Sequence, residues 1–160
     1  MNSPGWLEGQ SPQEDDMSEP QTYTPMDERA DASAGPEPIP YDPGAHFGQV
    51  LRWMEAWGQT LSPDALPTTG FIIPGVAAGF LYRTDSSVAW IEGLVASRDV
   101  SAEIRGKALD EIVRALRAEA RRSGFKILLG YTQFQAVVDR ALRHGFEHAK
   151  GTYQLVFVAP

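Results

Sequence analysis

Between residues 102 and 123, Leu109, Ile112, Val113, Leu116 and Ala120 recur at i, i+3, i+4, i+7 and i+11, and Gly124 follows directly. This is the stripe of a long helix with one face on a core, and the glycine supplies its C-terminal stop. Ser101 stands as N-cap with Glu103 in the first turn, where an acid complements the helix dipole. Arg114, Arg117 and Arg121 share a polar face. The flanking runs Val88–Ala96 and Phe125–Leu129 read as strands, the second of them a buried one. Two strands joined through a helix of this length form a parallel pair with a right-handed crossover. A sheet with a helix packed on it is therefore required.

The rest of the chain extends that sheet. Val50, Met54 and Trp57, with Leu51 and Trp53 beside them, predict an amphipathic helix over 46–58, broken by Gly58, Ser62, Pro63 and Pro67. Gly70–Ile73, a Pro74-Gly75 turn, Val76–Tyr82, a turn over 83–87 and Val88–Ala96 make an antiparallel meander. After the crossover come a helix over 134–144, carried by Phe134, Val137, Val138, Ala141 and Leu142 and closed by Gly145, and a last strand over Tyr153–Val158. The expected class is α/β with a mixed sheet, a folded domain over 46–160.

Residues 1–45 differ in kind. They hold ten of the 21 acids but one of the 14 bases, Arg29, so they carry −9 and the remainder carries +2 of the net −7. Eight of the twelve prolines also lie there, a composition that cannot bury enough apolar area to offset its ordering entropy. An extended arm is expected, disordered unless bound to another protein chain, with Trp6, Leu7, Tyr23, Ile39 and Tyr41 as apolar anchors. The absence of cysteine excludes disulfides, thiol chemistry and a Cys-based zinc site. No apolar run approaches the roughly 18 residues of a membrane helix, and the first residues lack a secretory pattern, so a cytoplasmic setting is expected. A domain at +2, its arginines interspersed with acids, offers no specific nucleic-acid surface.

The stretch Ile104–Gly124 is similar to the central helix of the Gcn5-related N-acetyltransferase (GNAT) superfamily, and Arg140-Ala-Leu-Arg-His-Gly-Phe146 resembles the family's late "Leu-Tyr-x-Lys-x-Gly-Phe" segment. The meander Ala77–Glu92 resembles divergent GNAT-like proteins of tailed phages. The resemblance covers residues 46–160 and implies a GNAT-like fold, with acetyl-CoA as the cofactor if the chain is active and no metal. It also implies a pyrophosphate loop of the form Gln/Arg-x-x-Gly-x-Gly/Ala. In the ungapped register those positions are Ile104 to Leu109, without either glycine; shifted by one residue they become Glu103-Ile-Arg-Gly-Lys-Ala108. Arg105, Gly106, Lys107 and Ala108 are then the candidate phosphate contacts, with a carboxylate at Glu103 where the family places Gln or Arg.

By the same resemblance Glu92 is the candidate base, and Gly93 marks a bulge that would offer backbone N–H groups of Leu94 or Val95 to the cofactor. The tyrosine that serves as acid in the family is replaced by Ala141, and neither Tyr131 nor Tyr153 matches its place. His144 and His148 suit a helix C-terminus better than a metal, and Trp53, Trp57 and Trp90 suit a core. The expected function is a catalytically degenerate GNAT-fold interaction protein attached through its arm, such as a phage virion component. An N-acetyltransferase with a divergent loop and a non-catalytic acyl-CoA sensor are the alternatives.

Overall fold

The computed structural model describes residues 36–149 except Leu61, all within the unit Ser33–Pro160. Strands β1 (Ile39–Pro40), β2 (Gly70–Ile73), β3 (Ala77–Arg83), β4 (Val88–Ala96) and β5 (Ile127–Gly130) form one sheet in sequence order. The first four are antiparallel and β5 runs parallel to β4. Helix α1 (Pro43–Ala56) precedes β2, α2 (Ala102–Arg122) joins β4 to β5, and α3 (Gln135–Arg143) follows β5. The mixed sheet, the meander and the helical passage into a parallel strand are as the sequence requires.

Strand alternation divides the core in two. Ala77 and Leu81 of β3 and Ala89 and Ile91 of β4 face α2, where Ala108, Ile112, Leu116 and Ala120 are buried. Ala78 and Phe80 face the other way, onto Tyr41, Val50, Trp53 and Met54. The approach of α2 is close: a Cβ on Gly79 would lie 2.6 Å from Leu94 and 2.7 Å from Ile112. Both α2 and α3 end in Gly-Phe for one reason. Gly124 and Gly145 take φ of 84° and 74°. The next N–H reaches back across the turn, Phe125 to Ala120 and Phe146 to Ala141, each at 3.0 Å. This is the Schellman arrangement, and both phenylalanines then pack on the α2 core.

Two expectations are corrected. The folded body starts before residue 46: Ile39–Pro40 pairs with β2, Asp42 caps α1 by accepting from Gly44 N–H at 2.9 Å, and Pro43 opens the helix. Pro43 suits a first helical position, where no N–H is needed. Tyr41 is 6% exposed, its ring edge-on to Phe80 at 4.9 Å, so it anchors its own domain and not a partner. The second correction concerns β5, which was expected to be buried but leaves Ile127 and Leu129 exposed. The strand read over Tyr153–Val158 lies outside the described residues, as do Trp6, Leu7 and Tyr23.

Candidate functional site

The sheet opens at the middle of β4. Across β3, Ala78 pairs with Val95 and Phe80 with Glu92, so Gly79 faces two residues, Gly93 and Leu94. Gly93 has φ of 65°, the left-handed glycine of a G1-type bulge. The extra residue switches side-chain parity: Leu94 and Ala96 pack on the α2 core and Val95 is buried on the α1 side. Pairing with β5 ends at Ile91–Gly130, whereas β4 continues to Ala96. The bulge and the opening fall where the sequence places them, with Glu92 just before Gly93.

On the α1 side of this opening lies a cavity of about 430 Å³, lined by Tyr82, Arg83, Thr84, Trp90, Glu92 and Tyr131. Tyr82 and Trp90 are cross-strand partners on one face, Glu92 lies one rung along that face, and Tyr131 follows the end of β5. The Tyr82 hydroxyl donates to the Ala65 carbonyl at 2.7 Å. Burial, and secondarily the charge of Glu92, pushes the Tyr82 phenol above its ordinary value. Sequence reasoning missed Tyr82 as a site residue and assigned Trp90 to the core. The signal available was the alternation Tyr82, Trp90, Glu92 on one face of the sheet. Trp53 is core, as expected, but Trp57 is not. Its indole N–H donates to the Ala96 carbonyl at 2.8 Å and Arg98 lies over its ring at 4.2 Å.

The phosphate end of the opening has a different character. Helix α2 begins at Ala102, so Arg105, Gly106, Lys107 and Ala108 sit inside it and not in a loop. The Ser101 side chain accepts from Ile104 N–H at 3.3 Å and its carbonyl from Arg105 N–H at 3.0 Å. From Gly106 onward the N–H groups belong to the i→i−4 ladder. Among the described residues the Ser101, Ala102 and Glu103 amides have no partner at the tip, beside Glu103's own carboxylate. The bases are occupied as well: Arg105 donates to the Val100 carbonyl, Lys107 to Glu103 at 2.8 Å, and Arg98 stacks on Trp57. A pyrophosphate is held by free N–H groups and nearby cations; here the helix tip also carries the Glu103 carboxylate, which opposes an anion, while Lys107 is held only by an exposed pair.

Behind this end, α3 is tied to α2 at Asp110. Its carboxylate accepts from Arg140 Nε at 2.8 Å and lies 3.0 Å from His144 Nε2. Burial pushes the Asp110 carboxyl up, but hydrogen bonds from His144 and Arg140, with their charges, outweigh it and hold the carboxyl below its ordinary range. His144 is also the C-cap of α3, so its place at a helix end is as expected. Among the described residues, no group of three or more His, Cys, Asp or Glu is arranged to hold a metal, and no helix is long and apolar enough to cross a membrane.

No protein-family model matches the sequence, and neither does any curated protein sequence. Solved structures do match. One is named "Putative acetyltransferase from Agrobacterium tumefaciens str. C58", with a TM-score of 0.56 and 15% identity over 76% of this chain and 99% of that one. Another, named a "probable acetyltransferase", gives 0.50 and 12% over 74% and 93%. At such identities the likeness is one of architecture. With the strand order, the bulge and the open β4–β5 edge, it shows that this chain carries a GNAT-like fold.

Proposed function

We propose that this protein is a GNAT-fold binding module without acetyl-CoA chemistry, which acts by contact with another protein in a larger assembly. The observation that carries this reading is the start of α2. Helix formation from Ala102 commits the N–H groups of residues 104–108, and Glu103 puts a carboxylate at the remaining tip. Loss of the family's late-helix acid, with Ala141 in its place, points the same way. Attachment is assigned to the acidic segment before residue 36, with Trp6, Leu7 and Tyr23 as anchors, and the resemblance to phage GNAT-like proteins suggests a virion as the assembly. Calorimetric titration of the full chain with acetyl-CoA tests the reading. No binding tighter than about 1 mM is expected, equivalent to about −4 kcal/mol. A micromolar dissociation constant overturns it.

One observation favours an N-acetyltransferase as the second reading. Glu92 lines the cavity and directly precedes the Gly93 bulge, a place from which a carboxylate can take a proton from an amine. In that case Glu92→Gln lowers turnover by roughly a hundredfold at neutral pH. Acetyl transfer to a panel of amines, followed by thiol release, separates the two readings.

A further inference from the structure

We infer that residues 36–40 guard the β1 end of the sheet and refuse a strand offered there by a second copy of this chain. Among the described residues β1 is the last strand on that side. An edge strand presents unpaired N–H and C=O groups on which another strand can form. The sequence here is Pro36-Glu37-Pro38-Ile39-Pro40, with proline at alternate positions. This inference needs no cofactor and does not depend on the reading above.

The register decides which groups face outward. Ile39 pairs with Ile72 and Pro40 with Phe71, antiparallel, and Tyr41 donates its N–H to the Gly70 carbonyl at 2.9 Å. Along an antiparallel ladder, residues bonded to a given neighbour alternate with residues that are not. Tyr41 and Ile39 therefore turn their N–H groups toward β2. Pro38 and Pro40 hold the positions whose N–H would point away from it, and proline has none to offer. The proline-rich composition of the first 45 residues accounts for prolines being here. It does not account for their falling on the outward parity while the inward positions keep a donor. Core packing does not account for it either, because Ile39 and Pro40 are both exposed. The next outward position is Asp42, and its N–H is already used, donated to His46 Nδ1 at 3.0 Å. Pro43 follows without one. From Pro38 to Pro43 no N–H is left for an added strand, and the proline rings stand where the incoming carbonyls would dock. The strand at the other end of the described sheet, β5, carries no proline.

The test opens the edge. In the full chain, Pro38→Thr combined with Pro40→Thr restores the outward donors on residues that suit a strand. Self-association, followed by sedimentation velocity over a range of concentrations, should tighten by at least about tenfold over the parent. Amide exchange read by NMR locates the contact. The amides at positions 38 and 40 should exchange fast in the dilute double variant and slowly once it associates, with Ile39 and Tyr41 slow throughout. Pro38→Ala combined with Pro40→Ala restores the same donors without branched side chains and should associate too, so the test survives a threonine pair that does not fold. Ile39→Pro, at the inward parity, should instead lower Tm, because it removes a bond to β2. A folded double variant that associates no more tightly than the parent overturns the inference. So does association with the amides at 38 and 40 still fast, protection of those amides in the dilute state, or an unchanged Tm in Ile39→Pro. Acetyl-CoA binding would overturn the proposed function and leave this result standing.

Discussion

Tyr41→Ala and Tyr41→Phe together test whether the domain begins where the structure places it. Tyr41 is 6% exposed and packs with Val50, Trp53, Met54 and Phe80. Truncating a buried aromatic to alanine costs about 3–5 kcal/mol, and loss of the edge-on contact with Phe80 belongs within that range. On a domain of this size the lower figure shifts Tm by more than about 10 °C. The hydroxyl has no hydrogen-bond partner among the described residues, so Tyr41→Phe removes a desolvated group and should be neutral or stabilising by up to about 1 kcal/mol. Burial, then the charge of Asp42, raises the Tyr41 phenol above its ordinary 10.0. The folded state thus favours the protonated phenol. Its contribution is whole below pH 10 and lost as pH rises through the raised value, and Tyr41→Phe should remove that part of the alkaline loss. Urea unfolding followed by far-ultraviolet circular dichroism, repeated from neutral pH to pH 11, measures all three effects. Alanine within about 1 kcal/mol of the parent, or phenylalanine costing more than that, refutes the reasoning.

Removal of residues 1–35 deletes none of the described contacts and should leave Tm unchanged, whereas removal of 1–45 also takes β1, Tyr41 and the Asp42 cap and should cost at least as much as Tyr41→Ala by thermal denaturation. Gly93→Ala forces a Cβ at φ 65° to within 3.0 Å of Phe80, and should destabilise by about 1–3 kcal/mol in urea titration. Asp110 lies below its ordinary 3.8, so the folded state favours the carboxylate; that contribution is present above pH 3.8 and lost as pH falls through the lowered value. Asp110→Asn should therefore flatten the acid limb of a stability–pH curve, and an unchanged limb counts against the α2–α3 tie.

Most of the fold is legible because its signals are local and redundant. The α2 stripe, the glycines at 124 and 145 and the turns of the meander each specify an element without reference to the others. The start of the domain is not legible in the same way. Residues 36–45 share the acid and proline content of the segment before them, and composition averages over the few that matter. Asp42-Pro43 is a capping signal, but only the buried Tyr41 beside it shows that the helix is entered from a strand.

The site divides along the same line. Glu92 and Gly93 could be placed because a carboxylate followed by glycine in a strand has a defined geometric consequence, a bulge that reverses side-chain parity. The cavity they border could not, because it depends on which part of the sheet α1 leaves uncovered. Helix α1 ends at Ala56, and Trp57 turns its indole toward Ala96, the distal end of β4. The rungs of Tyr82, Trp90 and Glu92 lie toward the other end of that strand, and no residue of α1 lines the cavity there. At the α2 end the decisive fact is energetic. Ser101 caps the helix well, so the residues after it gain more from intrahelical hydrogen bonds than from staying open for an anion. Gly106 is the one glycine that follows this cap within α2, and it already lies inside the helix.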